Sequence, residues 1–536
     1  MDTLVDLLRE SARAWAGLPA VGLHDDTEPW AWTYAELLES ATRAAAYLAA
    51  HGIARGDRVV FWGGNRPEWV AAFFGAQMLG AVVIPLDVRS QEELLVRIEH
   101  QTQPKHMLVG KEQAASLKGS HPPHTFFEEL REKLRAVAPA SAPGGAPAAD
   151  ETSQLVFTSG TTGNPKGVVL THKNIVSNTL MTQTRVPPTP QHRVLSLLPL
   201  SHMFEQTTGL FTPLSGGASI TYVTSLRPDV IFGAMQRYRI TNMSCVPQIL
   251  QLFRAGIERE IRKQGKERAF LRLHGVAGRL PLGVRRMLFR SLHTRLGGSF
   301  EFFSSGGAYL DPDLALWWEA LGVKVVQGYG MTEAAPIVAC HWVNKRNPRS
   351  VGKPTPGVDM RIADDGEVLV RGANLSPGYW QNPAATAEAF VDGWYHTGDL
   401  GTLDASNWLY LRGRKKNIIV LANGMNVYPE DVEHALLADM RVKDAVVMGL
   451  TRGDDVEVHA VLLLVKGEDA SGAEIVRGAN QRLAPHQQIR RHTVWPEDSF
   501  PLTPTLKVKR GDVAERLAQM HGQAGAPRLS KTPVGS

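Results

Sequence analysis

A loop rich in serine, threonine and glycine, with one lysine, stands near residue 160. The loop contains hydroxyl residues, glycines that allow tight backbone turns, and one cation. These residues are Thr158, Ser159, Gly160, Thr161, Thr162, Gly163 and Lys166. Hydroxyls donate to phosphate oxygens, glycines let successive backbone N–H groups face one anion, and the lysine adds a cation. This composition predicts a site for the phosphates of a nucleoside triphosphate.

The loop differs from a Walker A loop. Pro165 precedes the lysine, and the β-prone run Val168–Leu170 follows it where a Walker A loop would start a helix. We therefore place the loop between two strands. A polar hairpin turn would explain the glycines and Pro165, but not the density of hydroxyls beside a lysine.

Seven further motifs follow the loop along the chain. They are Leu198–Glu205, Ser305–Ala308, Gln327–Glu333, Gly366–Gly372, Trp394–Asp399, Gly413–Asn417 and Pro501–Lys507. Each motif alone is a weak pattern, but their order and spacing resemble the adenylate-forming superfamily of acyl-CoA synthetases, luciferases and peptide-synthetase adenylation domains. The resemblance covers nearly the whole chain and implies that ATP and Mg²⁺ activate a carboxylic acid as an acyl-adenylate, from which coenzyme A displaces AMP.

The resemblance assigns roles to individual residues. The catalytic set is Lys507, His202, Thr162 and Glu333. Lys507 bridges the carboxylate and the α-phosphate, Thr332 donates a hydrogen bond beside Thr162, and Lys166 approaches the pyrophosphate. Glu333 is the metal ligand, since Mg²⁺ prefers one carboxylate with phosphate oxygens and water. His202 lies at the boundary between acyl pocket and adenylate, although a lone histidine is more often a packing or capping residue.

Nucleotide binding is assigned to a second set. It comprises Ser305, Gly306, Gly307, Ala308, Gln327, Gly328, Tyr329, Gly330, Met331, Thr332, Asp399 and Arg414. The glycine-lined edge 305–308 offers backbone to an adenine on which Tyr329 stacks; a strand that ends in a glycine turn is the rival interpretation. Asp399 accepts both ribose hydroxyls, and Arg414 pairs with ribose or α-phosphate.

The same resemblance predicts a pivot at Lys416. Rotation of a small domain about this residue removes Lys507 after adenylation and brings Gly424 beside the tunnel that admits the pantetheine arm of coenzyme A. Thr505-Leu506 replaces the Ser-Gly that usually precedes the catalytic lysine, which resembles the long-chain branch of the family.

The segments Gly413–Gly424 and His202–Glu205 resemble fatty acyl-CoA synthetases more than amino-acid adenylation domains. The latter carry an aspartate near this histidine to pair with the ammonium group of the substrate, and none occurs between residues 198 and 214. The resemblance therefore implies a medium- to long-chain fatty acid as the substrate. The apolar run Val246–Phe253, with Phe302 and Phe303, is a candidate tunnel lining or ordinary core. The alternatives are a fatty-acyl-AMP or acyl-carrier-protein ligase, a ligase for another acid such as an aryl acid, and a non-enzymatic fatty-acid binder.

Bulk composition narrows the class of protein. A chain of 536 residues is too long for a single hydrophobic core, so we expect more than one domain. The 58 Lys and Arg against 53 Asp and Glu leave a net charge of +5, which is too small to indicate a nucleic-acid partner. The two cysteines fit reduced thiols, and neither a signal peptide nor a membrane span is visible, so we expect a cytoplasmic protein. Arg254–Arg295 contains twelve Arg and Lys against three acids, a charge of +9, which predicts either a solvated face or peripheral contact with an anionic membrane.

Apolar strand-like runs alternate with amphipathic helical segments, which predicts an α/β fold. We expect a helix over 67–79 with Trp69, Phe73, Phe74 and Met78 on one side, a strand over 81–85, a helix over 430–440, and strands over 445–450 and 458–465. The predicted organisation is a large multi-layer domain, 1–413, with a flexible linker at 136–149. A small mobile α+β lid follows at 414–520, and a disordered tail at 521–536.

Overall fold

The structure is a computed structural model, which describes residues 1–25, 29–139, 145–158, 165–452, 455–465, 471–502, 508–520 and 528–529. It divides into two compact units. Unit 1 comprises Met1–Asp359 and Val370–Tyr395, and unit 2 comprises Met360–Leu369 and His396–Ser536.

The helices alternate with strands along most of the chain, as an α/β fold requires. They are α1 Leu4–Trp15, α2 Tyr34–Ala50, α3 Pro67–Met78, α4 Glu92–Thr102, α5 Lys111–Ala114, α6 Phe127–Arg135, α7 His172–Gln183, α8 Met203–Glu205, α9 Thr212–Ser215, α10 Pro228–Arg237, α11 Pro247–Lys263, α12 Glu267–Ala277, α13 Leu282–Leu288, α14 Arg290–Arg295, α15 Pro312–Ala320, α16 Pro383–Ala389, α17 Pro429–Leu437, α18 Gly472–Asn480 and α19 Arg510–Met520. A π-helical turn, Gln206–Phe211, joins α8 to α9.

The strands are short, as is usual for layered α/β proteins. They are β1 Pro19–His24, β2 Trp30–Thr33, β3 Arg58–Trp62, β4 Val82–Leu86, β5 His106–Val109, β6 His124–Phe126, β7 Thr152–Thr158, β8 Lys166–Thr171, β9 Arg193–Ser196, β10 Ser219–Val223, β11 Asn242–Cys245, β12 Phe302–Ser305, β13 Lys324–Gly330, β14 Ile337–Cys340, β15 Lys353–Pro354, β16 Val358–Ile362, β17 Glu367–Gly372, β18 Phe390–Val391, β19 Trp394–Leu403, β20 Leu409–Arg414, β21 Ile419–Val420, β22 Asn426–Val427, β23 Val442–Arg452, β24 Asp455–Leu464, β25 Arg491–Val494 and β26 Arg528–Leu529.

Unit 1 contains two large sheets. One has nine strands in the order β15-β14-β13-β12-β11-β9-β10-β1-β2, and the other has six in the order β6-β5-β3-β4-β7-β8. Their central strands are parallel, so the ends of β9, β11 and β12 meet at one edge of the sheet. Loops at such an edge are the usual place for a ligand in an α/β fold.

Helix α3 differs from the amphipathic helix predicted for this segment. It begins at Pro67, which suits the first helical position, and all twelve of its residues are buried. The reason is that Trp69 and Phe73 stack on each other while other helices and strands of the same core cover the remaining faces. The neighbouring strand is β4, close to the predicted 81–85.

Unit 2 has a core of its own around Val432, Val447 and Ala460. Its sheet has the order β25-β24-β23-β26, and β23 and β24 include the predicted strands at 445–450 and 458–465. Helix α17 replaces the predicted helix 430–440, since Pro429 opens it and it ends at Leu437. The mixed α/β class is therefore confirmed. Residues 140–144 of the predicted linker and nearly all of the predicted tail lie outside the described residues.

Within the described ranges, none of the helices combines the length and the apolar character that a bilayer-spanning segment needs.

Candidate active site

The predicted phosphate loop connects two antiparallel strands, as expected. β7 ends at Thr158, β8 begins at Lys166, and these two residues are directly paired. The intervening candidates Ser159, Gly160, Thr161, Thr162 and Gly163 lie outside the described residues, so their predicted contacts remain predictions. The ammonium group of Lys166 lies 5.3 Å from the centre of the Tyr379 ring, a cation–π contact at the first residue of β8.

Glu333 lies on a single 3₁₀ turn, Thr332–Ala334, between β13 and β14. Its carboxylate accepts a hydrogen bond from the Tyr379 hydroxyl (Oη–Oε1 2.9 Å), and its carbonyl accepts one from the Ser376 amide at 2.7 Å. Burial, followed by the Glu333 charge, raises the pKa of Tyr379, which keeps the phenol neutral and a donor. Tyr379 therefore links Lys166 to Glu333, a relation that sequence analysis missed.

The arrangement fits Mg²⁺ better than an ion held by several protein ligands. Among the described residues no cluster of three or more His, Cys, Asp or Glu side chains could hold a metal. One oriented carboxylate, linked through Tyr379 to Lys166, would suit Mg²⁺, because this ion keeps waters and takes phosphate oxygens as its other ligands. When bound, Mg²⁺ would neutralise phosphate charge at Glu333.

The predicted adenine edge follows the end of β12. Ser305 is buried, and its hydroxyl has no hydrogen-bond partner within the described part of the chain. A Cβ on Gly306 would come within 3.1 Å of the Phe204 ring, and Gly307 has a φ of +79°, which favours glycine. A side chain at position 306 would therefore press on the Phe204 ring, whereas the predicted contact of this edge with an adenine remains a prediction. Ala308 follows Gly307 directly.

The adjacent motif occupies the end of β13. Gln327 and Tyr329 are buried, and Gly328 pairs with β14 opposite Cys340. At Gly330 a Cβ would lie 1.9 Å from the Pro336 carbonyl oxygen, so only glycine fits. Met331 and Thr332 then carry the chain into the Glu333 turn.

His202 precedes α8 on the loop that leaves β9. Its Nε2 lies 2.9 Å from an oxygen of Asp87, a buried carboxylate directly after β4. Two residues further on, Phe204 contacts the Gly306 edge. The structure therefore brings His202, Asp87 and the adenine edge into one part of unit 1, and Asp87 is a second residue that sequence analysis did not find.

The apolar run proposed as tunnel lining is divided between core and surface. Leu250, Phe253 and Phe303 are buried in one hydrophobic cluster, whereas Leu252 is 60% exposed. Only Val246, within 3.8 Å of a Cβ placed on Gly307, borders the adenine edge directly.

Unit 2 carries the remaining candidates. Asp399 on β19 and Arg414 on β20 are opposite each other and form an ion pair (Oδ1–Nε 2.7 Å). Lys416 is exposed on a 3₁₀ turn directly after Arg414, and Gly424 has a φ of +77° with open space around it. Lys507 lies outside the described residues.

Comparisons with known proteins identify the family of the chain. The AMP-binding enzyme family model matches residues 8–380, and the model of its C-terminal domain matches residues 416–520. The chain belongs to the AMP-binding enzyme family. This AMP-binding enzyme is 31% identical to a long-chain-fatty-acid–CoA ligase of Mycobacterium bovis, over 91% of each chain.

Solved structures show the same fold. A fatty acyl CoA synthetase of Mycobacterium tuberculosis is 26% identical, with a TM-score of 0.71 over 97% of this chain and 99% of that one. An O-succinylbenzoate coenzyme A synthetase of Bacillus subtilis, in complex with ATP and magnesium ion, is 25% identical, with a TM-score of 0.77 over 94% and 98%. This AMP-binding enzyme is accordingly an acid–thiol ligase that activates a carboxylic acid with ATP and coenzyme A.

Proposed function

We propose that the acid is a medium- to long-chain fatty acid, converted to its acyl-CoA through an acyl-adenylate. The observation that carries the proposal is the apolar border of the adenine edge, where Phe204 and Val246 flank Gly306 and Gly307. Within the described part of the chain, the atoms nearest to a Cβ on either glycine belong to Phe204, Val246 and the Gly328 backbone, and none is a carboxylate oxygen. The nearest acid along the chain, Glu205, is fully buried, and burial raises its pKa to about 8, so it is protonated at neutral pH.

A substrate screen tests this proposal. Pyrophosphate release is measured with acids from acetate to long-chain and aromatic acids, with and without coenzyme A. We expect the highest kcat/KM for medium or long aliphatic acids and acyl-CoA as the product. Preference for an aryl acid, or transfer only to an acyl carrier protein, would overturn the fatty acid–CoA assignment. Absence of turnover with every acid would support a fatty-acid binder.

For the chemical step we propose that fixed positive charges and hydrogen-bond donors offset the repulsion between the carboxylate of the acid and the phosphates of ATP. Lys507 would bridge the carboxylate and the α-phosphate, while Thr162, Thr332 and Lys166 would hold the phosphates. Lys507→Ala should lower adenylation about 100-fold to 1000-fold and largely spare thioester formation from supplied acyl-adenylate. Equal loss of both half-reactions would contradict this role.

We also propose that a rotation at Lys416 separates the two half-reactions. Lys416→Pro fixes φ at about −65° and so should hinder the rotation. The residue lies in the first turn of a 3₁₀ helix, where proline is tolerated, so the fold should be kept. We expect the variant to impair thioester formation more than pyrophosphate exchange. Gly424→Leu should do the same by narrowing the pantetheine path.

Gly393 provides a matched control for Gly424. It has nearly the same φ, +76°, and equally open surroundings, so Gly393→Leu carries the same backbone strain without lying in the proposed path. We expect Gly393→Leu to keep the ratio of the two half-reactions. If Gly424→Leu and Gly393→Leu behave alike, strain explains the effect and the path does not.

Peripheral membrane contact is proposed for the basic segment 254–295. Several apolar residues of this segment pack inward: Phe289 is buried, and Ile257, Phe270 and Leu273 lie against the core. However, Leu271 is 61% exposed, and Arg268, three positions earlier, lies on the same side of α12. Such a face suits an anionic lipid surface, where fatty acids partition.

Co-sedimentation tests the contact. We expect binding to anionic vesicles at low salt, loss at high salt, and no binding to neutral vesicles. Leu271→Ser should weaken binding, whereas Leu226→Ser, at a residue 64% exposed outside the segment, should not. No binding at low salt would show that the basic residues form only a solvated face.

A further inference from the structure

A buried carboxylate at the end of β4 holds the imidazole ring of His202. The Asp87 side chain is only 4% exposed, and its Oδ2 lies 2.9 Å from His202 Nε2. Its Oδ1 accepts hydrogen bonds from the Arg89 amide at 2.8 Å and from Arg89 Nε at 3.1 Å. Burial alone would raise the pKa of Asp87, but the hydrogen bonds from His202 and Arg89 outweigh it and lower the pKa. Asp87 is therefore a charged acceptor at neutral pH.

This contact fixes which ring nitrogen faces outward. Because the carboxylate accepts from Nε2, that atom carries a hydrogen. Nδ1 has no hydrogen-bond partner among the residues that the structure describes, and the side chain is 29% exposed. A carboxylate on one nitrogen sets the tautomer and the ring orientation, so the other nitrogen is presented to a ligand in a single direction.

The loop that carries His202 is anchored by the same part of unit 1. Asn65 accepts from the Leu200 amide at 2.8 Å and donates to the Leu198 carbonyl at 2.7 Å. Phe204 then contacts the Gly306 edge. The backbone around His202 is thus held on both sides, and the ring's remaining freedom is rotation about its side-chain bonds, which Asp87 restricts.

We propose that Asp87 is a positioning residue for the reaction: it holds His202 so that Nδ1 faces the carboxylate of the acid. The inference rests on the proposed place of His202 between acyl pocket and adenylate. When the ring is protonated, Nδ1–H donates to the reacting carboxylate, and the Asp87 charge balances the imidazolium. When the Asp87 carboxylate is replaced by an amide, the His202 ring loses both this charge balance and its fixed orientation.

A double-mutant cycle tests the proposal. We compare wild type, Asp87→Asn, His202→Ala and the double variant in acid-dependent pyrophosphate exchange. Asp87→Asn should lower kcat by about 10-fold to 100-fold, as the loss of a partner that orients a histidine typically does. In the His202→Ala background the same change should have almost no effect, because the imidazole ring through which Asp87 acts is absent. The KM for ATP should stay within about twofold of wild type, since nucleotide contacts remain.

A matched aspartate separates positioning from folding. Asp57 is also buried and accepts from Lys105 at 2.8 Å, but it precedes β3, and its hydrogen-bond partners in the described part of the chain, Lys105 and the Ala54 amide, are not candidate residues. Asp57→Asn should change thermal stability without a selective loss of kcat. Arg89→Met removes the guanidinium from Asp87 but keeps the hydrogen bond from the residue 89 amide, so it should keep most of the activity.

Each outcome has one meaning. An equal effect of Asp87→Asn with and without His202 overturns the proposal, and so does an equal loss of kcat in Asp57→Asn. Failure of the wild type to exchange pyrophosphate with any acid would instead contradict the proposed substrate, so the two failures are distinguishable.

Discussion

The hydroxyl group of Tyr379 donates a hydrogen bond to the carboxylate of Glu333, 46 positions earlier in the chain, while the Tyr379 ring lies beneath the ammonium group of Lys166. One tyrosine thereby joins the predicted metal ligand to the predicted phosphate-binding lysine. Because its pKa is raised, the hydroxyl stays protonated over the whole physiological range and keeps the carboxylate in one orientation.

Removing that hydroxyl should weaken the metal site. We expect Tyr379→Phe to raise the Mg²⁺ concentration for half-maximal adenylation by about 10-fold, since a hydrogen bond to a charged group contributes about 1.5–3 kcal/mol. A magnesium titration of pyrophosphate exchange measures it. Tyr410→Phe is the matched control, because Tyr410 donates to Asp404 in the same way at 3.1 Å in unit 2. A common shift in both variants would exclude a specific role for Tyr379.

The Asp399–Arg414 pair leads to a prediction about ribose. Asp399→Asn should raise the Kd for ATP by about 10-fold or more, because the amide loses the charge that strengthens hydrogen bonds from two hydroxyls. Calorimetry with ATP and with its 2′,3′-dideoxy analogue measures the effect. The wild type should prefer ATP, and the variant should lose that preference.

Asp359 serves as the control for Asp399. It forms a similar ion pair with Arg371 at 2.8 Å but is exposed and outside the candidate set. Asp359→Asn should bind both nucleotides like the wild type. An Asp399→Asn enzyme that still distinguishes ATP from the dideoxy analogue would show that the ribose is held elsewhere.

Glu205 makes stability depend on pH. Its carboxyl accepts from Ser196 at 2.5 Å, and burial raises its pKa to about 8. Between its unfolded pKa, 4.5, and about 8 the folded protein keeps a proton that the unfolded chain releases, so the free energy of unfolding falls as pH rises through this window. The limiting slope is about 1.4 kcal/mol per pH unit.

Glu205→Gln removes this dependence because an amide does not titrate. Chemical unfolding is measured at about pH 5, 6, 7 and 8, which spans that window. As pH rises, the free energy of unfolding of the wild type should fall relative to that of the variant. The exposed Glu112→Gln variant should run parallel to wild type. Parallel curves for Glu205→Gln would mean that the carboxyl is already ionised in the folded protein.

Gly330 should tolerate no side chain. In Gly330→Ala the Cβ meets the Pro336 carbonyl oxygen at 1.9 Å, so β13 or the loop before β14 must move, at a cost of about 1–3 kcal/mol. In Gly328→Ala, on the same strand, the nearest atom is 3.4 Å away, an ordinary contact. Thermal unfolding should show a much lower Tm for the first variant than for the second.

The sequence alone determined the family, the α/β class and the type of chemistry, because those depend on motifs of consecutive residues. The predicted phosphate loop is one example: its hydroxyls, glycines and lysine are neighbours in the chain, so the two strands that flank it could be predicted from local composition. The strands of unit 2 were also predictable, since 445–450 and 458–465 are short, nearly continuous apolar runs.

The partners of the site residues were decided only by the tertiary structure. His202 and Asp87 are 115 positions apart, and they meet because two strands from different sheets end near one another. The same holds for Tyr379 and Glu333, and for α3, whose fully buried surface depends on neighbours that no periodicity within the helix reveals. A motif records which side chains are available; the packing of strands and helices decides which of them come within hydrogen-bond distance.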